Sequence, residues 1–161
     1  MKKSHSIILA LFVINVGVLL WWFSDTQVIK RQTNTLAETL TILEEDGKSA
    51  RALKSQKLDG LLADSLICSV EVKQYDHEFS KDELTQAHMA MTHLCQSASA
   101  EAAEITISIN SDTSATVSAI LDLSATEKRG KTHSESCQTD LTWKKNDQGK
   151  WRLTSITIKE K

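Results

Sequence analysis

Proline is absent from this chain, so its turns must be built from Gly, Asn, Asp and Ser. The three cysteines, Cys68, Cys95 and Cys137, form no CxxC pair, which argues against a zinc ribbon or a thioredoxin-like centre. None stands at the end of the apolar N-terminal run, so a lipid-modified form has no attachment point. No glycine loop suited to cradling phosphate is present, nor a serine-nucleophile elbow. There is no internal repeat and no low-complexity segment. Basic residues are not in excess: 19 Lys and Arg stand against 21 Asp and Glu, and a nucleic-acid footprint needs a basic face. No nucleic-acid partner is expected.

What the chain does have comes first. "IILALFVINVGVLLWWFSDT" opens it with an uncharged run from Ile7 to Phe23. A removable signal carries an apolar core of about 7–15 residues and a small-x-small cleavage site. This run is longer and ends on Trp21, Trp22 and Phe23, residues suited to a membrane–water interface. At about 1.5 Å per residue it covers roughly 26 Å, near the lower limit for a hydrocarbon core. Asn15 at mid-span could bond a neighbouring helix. The reading is a retained anchor: residues 1–6 a cytoplasmic tail, 7–23 the membrane span. Lys2 and Lys3 before it favour a cytoplasmic N-terminus. The remainder then lies outside the cytoplasm, held to the inner membrane by a single pass.

After the anchor about 138 residues remain, enough for one domain with a core. Ile29, Leu36, Leu43 and Ala50 recur every seven residues, with Leu40 beside them and Gly47 interrupting. Two heptads are too few for a coiled coil, so residues 24–47 are expected as a juxtamembrane helical stalk and 48–161 as the domain. A second helix follows through Leu53, Leu58, Leu61 and Leu62. From Leu66 the period falls to two, with Cys68, Val70 and Val72 on one face of a strand. "SKDE" then forms a capping box, Ser80 capping and Glu83 reaching back. The helix it starts has an apolar stripe at Leu84, Ala87, Met91, Leu94, Cys95 and Ala98, with His88 inside it.

Strands and turns follow. "EITISIN" alternates, and "ATVSAILDLS" is a longer strand whose adjacent Ile120 and Leu121 suggest a bulge or burial on both faces. "HSESCQTDLTW" and "WRLTSITI" close the chain as a hairpin. A loop of Asp147, Gln148 and Gly149 lets Gly149 turn left-handed and sets Trp143 opposite Leu153, with Leu141 and Trp151 on the same face.

The order helix, helix, strand, helix and antiparallel strands, with "SATVSAIL" and the closing "GKWRL", resembles the NTF2-like, or SnoaL-like, superfamily over about residues 48–159. The resemblance implies an α+β cone, a curved antiparallel sheet wrapped around helices with a pocket. It also implies acid–base side chains inside the cone in its enzymes; the candidates here are Asp64 at the helix–strand junction, Tyr75 with His77 at the end of the first strand, and His88. An anchor before such a domain also resembles bitopic components of type IV secretion machines.

Other constellations fail on spacing. His88 and Cys95 lie two helical turns, about 10 Å, apart, too far for a nucleophile–base pair. His88 and His93 lack the i, i+4 spacing of a helical zinc site. His133, Glu135 and Cys137 share a strand face, but their ends span about 13 Å, too far for one ion. No metal and no cofactor is expected. In a cone Cys95 and Cys137 could come within bridging range, with Cys68 the competing partner; three unpaired thiols is the other reading. The functional expectation is a non-catalytic binding module for a protein or small apolar ligand. A pocket enzyme and an assembly component, including a homo-oligomer, are the alternatives.

Overall fold

A computed structural model of the chain describes residues 21–71 and 74–159. Residues 7–20 of the expected anchor lie outside the described residues. Among the described residues no helix is long and apolar enough to cross a membrane.

From Asp25 onward the described residues form three helices and six strands in the order α1 (Asp25–Leu40), α2 (Lys48–Leu61), β1 (Leu62–Val70), β2 (Tyr75–Ser80), α3 (Lys81–Leu94), β3 (Cys95–Ser111), β4 (Ser114–Glu127), β5 (Thr132–Lys145) and β6 (Trp151–Lys159). The strands make one sheet in the order β2-β1-β6-β5-β4-β3. Only β1 and β6 run parallel; the other neighbours are antiparallel. The helices cover the inner face, and the core between them joins Ile29 and Leu36 of α1, Leu58 and Leu61 of α2, and Leu66, Val117, Leu141, Trp143, Trp151 and Leu153 of the sheet.

The expected stalk is therefore part of the domain. Ile29, Thr33, Leu36 and Thr39 of α1 are buried, and the seven-residue spacing of Ile29 and Leu36 is the core stripe of a packed helix. The domain begins at Asp25, not at residue 48. Its start is clamped to the far end of the sequence. The Asp25 carboxylate accepts from the Trp151 indole N–H at 2.9 Å and the Lys145 ammonium at 3.0 Å. Partial burial opposes ionisation of Asp25, but these two donors outweigh it and hold its pKa below the usual carboxylate value.

The capping box forms as expected: Glu83 N–H donates to Ser80 Oγ at 3.2 Å and Ser80 N–H to the Glu83 carboxylate at 2.8 Å. The helix it starts is shorter than its stripe implied. It ends at Leu94, and Cys95 and Ala98 belong to β3. Arg51 of α2 fastens that end, its guanidinium donating to the carbonyls of Thr92, Cys95 and Gln96. The chain after α1 supplies a further restraint. Ile42 exchanges both backbone hydrogen bonds with Ala98, at 2.7 and 2.9 Å, so an alanine-rich stretch of high helix propensity becomes the edge of a sheet.

The closing hairpin matches its expected register. Trp143 faces Leu153, Gly149 sits at φ +70, and Asn146 and Lys150 close the three-residue loop with a 2.9 Å backbone hydrogen bond. Between Ile120 and Leu121 the β4–β5 register runs without a bulge; both side chains are half-buried.

Candidate functional site

Three strands shape an apolar depression at one end of the sheet. Cross-strand partners share a face, so the register places Ala98, Ala125 and His133 in one row and Ala100, Leu123 and Glu135 in the next. Leu40, the last residue of α1, and Met91 of α3 stand over these rows. Together they enclose a cavity of about 510 Å³, within the range of small-molecule sites. Ala98 and Ala100 are buried at its floor, while His133 and Glu135 are exposed at its mouth. Small side chains are what leave the space, since Ala at three row positions takes up little of the gap below Leu40 and Met91.

The mouth carries the polar chemistry. His133 Nε2 lies 3.2 Å from Glu127 Oε1, both side chains about half-exposed. The carboxylate orients the ring, leaving Nδ1 to meet a ligand. Glu135, two residues along the same face, adds a second carboxylate. An apolar floor with an imidazole and two carboxylates at its rim fits a small apolar molecule that bears a cation or hydrogen-bond donors.

The residues expected from the superfamily lie elsewhere. Asp64 is the third residue of β1, its side chain in solvent 3.7 Å from Lys81. Tyr75 opens β2, an edge strand missed in the sequence, where it stacks on His77 with ring centres 6.0 Å apart. Phe79 continues the ladder, 4.4 Å from His77. His88 is 4% exposed and saturated. The Thr39 carbonyl, 3.2 Å from Nε2, can only accept, so Nε2 carries a proton. In the neutral ring that burial favours, Nδ1 accepts from the Ser55 hydroxyl at 2.9 Å, in place of that hydroxyl's longer 3.3 Å bond to the Arg51 carbonyl. Burial, aided by the Lys54 charge and opposed by the Thr39 hydrogen bond, lowers its pKa. Among the described residues no group of His, Cys, Asp and Glu could hold a metal ion.

The cysteines are free. Cys137 pairs with Leu121, which pairs with Ala102 of β3. Cys95 lies seven residues further along β3, roughly 20 Å away at about 3.3 Å per residue. A disulfide needs Cα atoms within about 7 Å, so the candidate Cys95–Cys137 bridge is not made.

The pocket residues were missed because the rows cross three strands, and their partners are set by register. The sequence offered one signal, the shared face of His133, Glu135 and Cys137, set aside as too wide for a metal. Its width is instead that of a cavity wall.

No protein-family model matches the chain, and no curated protein matches it. Solved structures do. An NTF2-like protein with a cystatin-like fold from Novosphingobium aromaticivorans is 13% identical, with TM-score 0.60, covering 91% of this chain and 88% of its own. An NTF2-like superfamily protein from Salmonella enterica serovar Typhimurium is 12% identical, with TM-score 0.63, covering 82% and 87%. The association domain of Caenorhabditis elegans CaMKII is 15% identical, with TM-score 0.57, covering 83% and 93%. Their shared architecture is the one found here: the chain from Asp25 onward has the α+β fold of the NTF2-like proteins, a curved sheet closed by three helices.

Proposed function

We propose that this chain is a membrane-anchored, extracytoplasmic binding module whose pocket takes a small apolar ligand carrying an amine or other hydrogen-bond donor, without chemical turnover. The observation that supports it is the pair of rows Ala98–Ala125–His133 and Ala100–Leu123–Glu135, which put an apolar floor under a rim of acceptors. The membrane part rests on the sequence: the uncharged run 7–23, its aromatic end and the positive N-terminal tail. The His133–Glu127 pair favours a second reading, a pocket enzyme, because a carboxylate-oriented imidazole is a general base in form. Both groups are half in water, which favours binding over catalysis.

The test is titration of the full chain in detergent micelles with 1-aminoanthracene, against 1-anthracenecarboxylate at equal concentration. The amine is expected to bind with enhanced fluorescence and the acid to bind at least tenfold more weakly. Ala125→Phe, which fills the cavity, should abolish binding, and Glu135→Gln should weaken it while leaving the far-UV circular dichroism unchanged. Equal binding of amine and acid, or binding undiminished in Ala125→Phe, would overturn the assignment.

A further inference from the structure

The start of the described chain is a corner, and everything around the corner is tied down. Trp21 and Trp22 are helical; at Ser24 the backbone turns extended (φ -60, ψ 146) before α1 begins. Ser24 donates to the Trp21 carbonyl twice, from its amide at 3.1 Å and its hydroxyl at 2.7 Å. Arg31, nearly two turns into α1, reaches back. It donates to the Trp22 carbonyl at 3.0 Å and sits 4.7 Å over the Trp22 ring. One residue past Ser24 comes the Asp25 clamp to Trp151 and Lys145. A single residue between Phe23 and that clamp leaves no slack, since an extended residue spans only about 3.5 Å.

The same corner exposes three adjacent aromatics: Trp21 at 57%, Trp22 at 50% and Phe23 at 69%. They continue the uncharged run 7–20 of the sequence. Fully hydrated, such a cluster is unfavourable; at a lipid headgroup boundary the apolar ring and the indole N–H are both accommodated.

We propose that this corner seats the domain directly on the bilayer surface, with the β3–β4 and β5–β6 hairpins toward the lipid and the pocket mouth at the opposite end. The proposal rests on the anchored reading above. Lys145 belongs to the clamp, and its amide donates to the Thr113 carbonyl of the β3–β4 turn at 2.9 Å, so both hairpins share the anchored end. The pocket lies at the other end of α1. From Asp25 to Leu40 the helix rises about 22 Å, and His133 precedes the clamp's Lys145 by most of the length of β5. A pocket held in this way opens to the aqueous phase, so its ligand arrives from solution or from a soluble partner rather than from within the bilayer.

The experiment uses the full chain in phosphatidylcholine nanodiscs containing a gadolinium-chelating lipid headgroup, read by amide NMR. Amides of Asp112, Gln148 and Gly149 are expected to broaden severalfold, and those of Arg129 and Gly130 in the β4–β5 loop to stay sharp. Uniform or reversed broadening in a chain that remains in the nanodiscs would overturn the seating and leave the anchor standing. A chain that leaves the nanodiscs would overturn both. The double variant Asp25→Asn, Arg31→Gln should remain membrane-bound with its broadening evened out. Asymmetry unchanged in that variant would show that the clamp does not orient the domain, and would overturn its role.

Discussion

His88 gives the sharpest test of the interior, because its two ring nitrogens are both committed. Burial disfavours the charged ring and lowers its pKa, so the folded state holds the neutral ring, whose Nε2–H donates to the Thr39 carbonyl and whose Nδ1 accepts from the Ser55 hydroxyl. In the unfolded chain a histidine titrates near about 6.5. Below that pH the unfolded state binds a proton that the folded state does not, so stability present at neutral pH is lost as pH falls through 6.5. The ceiling on the slope for one proton is about 1.4 kcal/mol per pH unit. The carboxylates held low by their partners, Asp25, Asp46 and Asp140, lose their contribution only at more acid pH, below the unfolded carboxylate value near about 4. Urea unfolding of the detergent-solubilised chain at intervals from pH 7.5 to pH 5 therefore isolates the histidine. The wild type should lose stability across that window, while His88→Gln loses the pH dependence and starts lower at pH 7.5. Its starting deficit should be about 1–3 kcal/mol, the cost of leaving a buried carbonyl without its donor. Parallel pH profiles for the two proteins would refute the neutral, doubly bonded ring.

Further outcomes follow from single contacts. Arg51→Ala should destabilise by about 1–3 kcal/mol in urea unfolding, because the carbonyls at the end of α3 lose a charged donor, and Arg51→Lys should restore only part, since an ammonium cannot fork across them. Trp151→Ala should cost about 3–5 kcal/mol, and Trp151→Phe less, as it keeps the packing and loses the Asp25 hydrogen bond. In non-reducing denaturant all three cysteines should alkylate, confirmed by mass; in the native state Cys68, half-buried at the β1 face, should react ahead of Cys95 and Cys137. Gly149→Val should cost about 1–2 kcal/mol, since its φ of +70 is strained for a β-branched side chain.

Local signals were legible in this sequence, and signals set by partners were not. The capping box at Ser80 and Glu83 needs only residues three apart, and the hairpin around Gly149 fixes its own register through its loop length. Both appear as read. The stretch 95–103, "CQSASAEAA", alternates Ala with Ser and Glu from 97 to 102, but side chains this small give the alternation little apolar contrast, and the alanines favour helix. Its conformation comes from pairing with β4 and from Ile42, which lies 56 residues upstream of Ala98. Likewise α1 has the spacing of a stalk and of a core helix alike. What decides between them is the sheet that it covers, closed by Trp151 more than 110 residues later. The acid–base candidates drawn from the superfamily lie away from the pocket for the same reason: Asp64, Tyr75 and His88 sit on elements whose faces are turned by neighbours distant in sequence.

The pocket and the core have a common origin in one irregularity of β3. Between Ala103 and Thr106 the register with β4 shifts, and Glu104 takes a positive φ of 52. One inserted residue reverses which positions face inward. Before it the inner positions are Ala98 and Ala100; after it they are Ile105 and Ile107, which pack against the core with Val117, Leu141 and Trp143. The large side chains thus fill the end held by the Asp25 clamp. The alanines line the end beneath Leu40 and Met91 and leave it hollow. Without the bulge, continuing the even positions along β3 would aim Glu104, Thr106 and Ser108 into the core and turn the isoleucines to solvent. That would bury a charge and two hydroxyls beside Trp143, each costing about 1–3 kcal/mol if unpaired. Inserting one alanine after Glu104 would turn Thr106 and Ser108 inward and the isoleucines to solvent, so the insertion is expected to abolish folding. Deleting Glu104, by contrast, only removes the extra residue and leaves Ile105 and Ile107 facing inward. An insertion variant that kept cooperative unfolding and amine binding would refute the link between the bulge and the cavity.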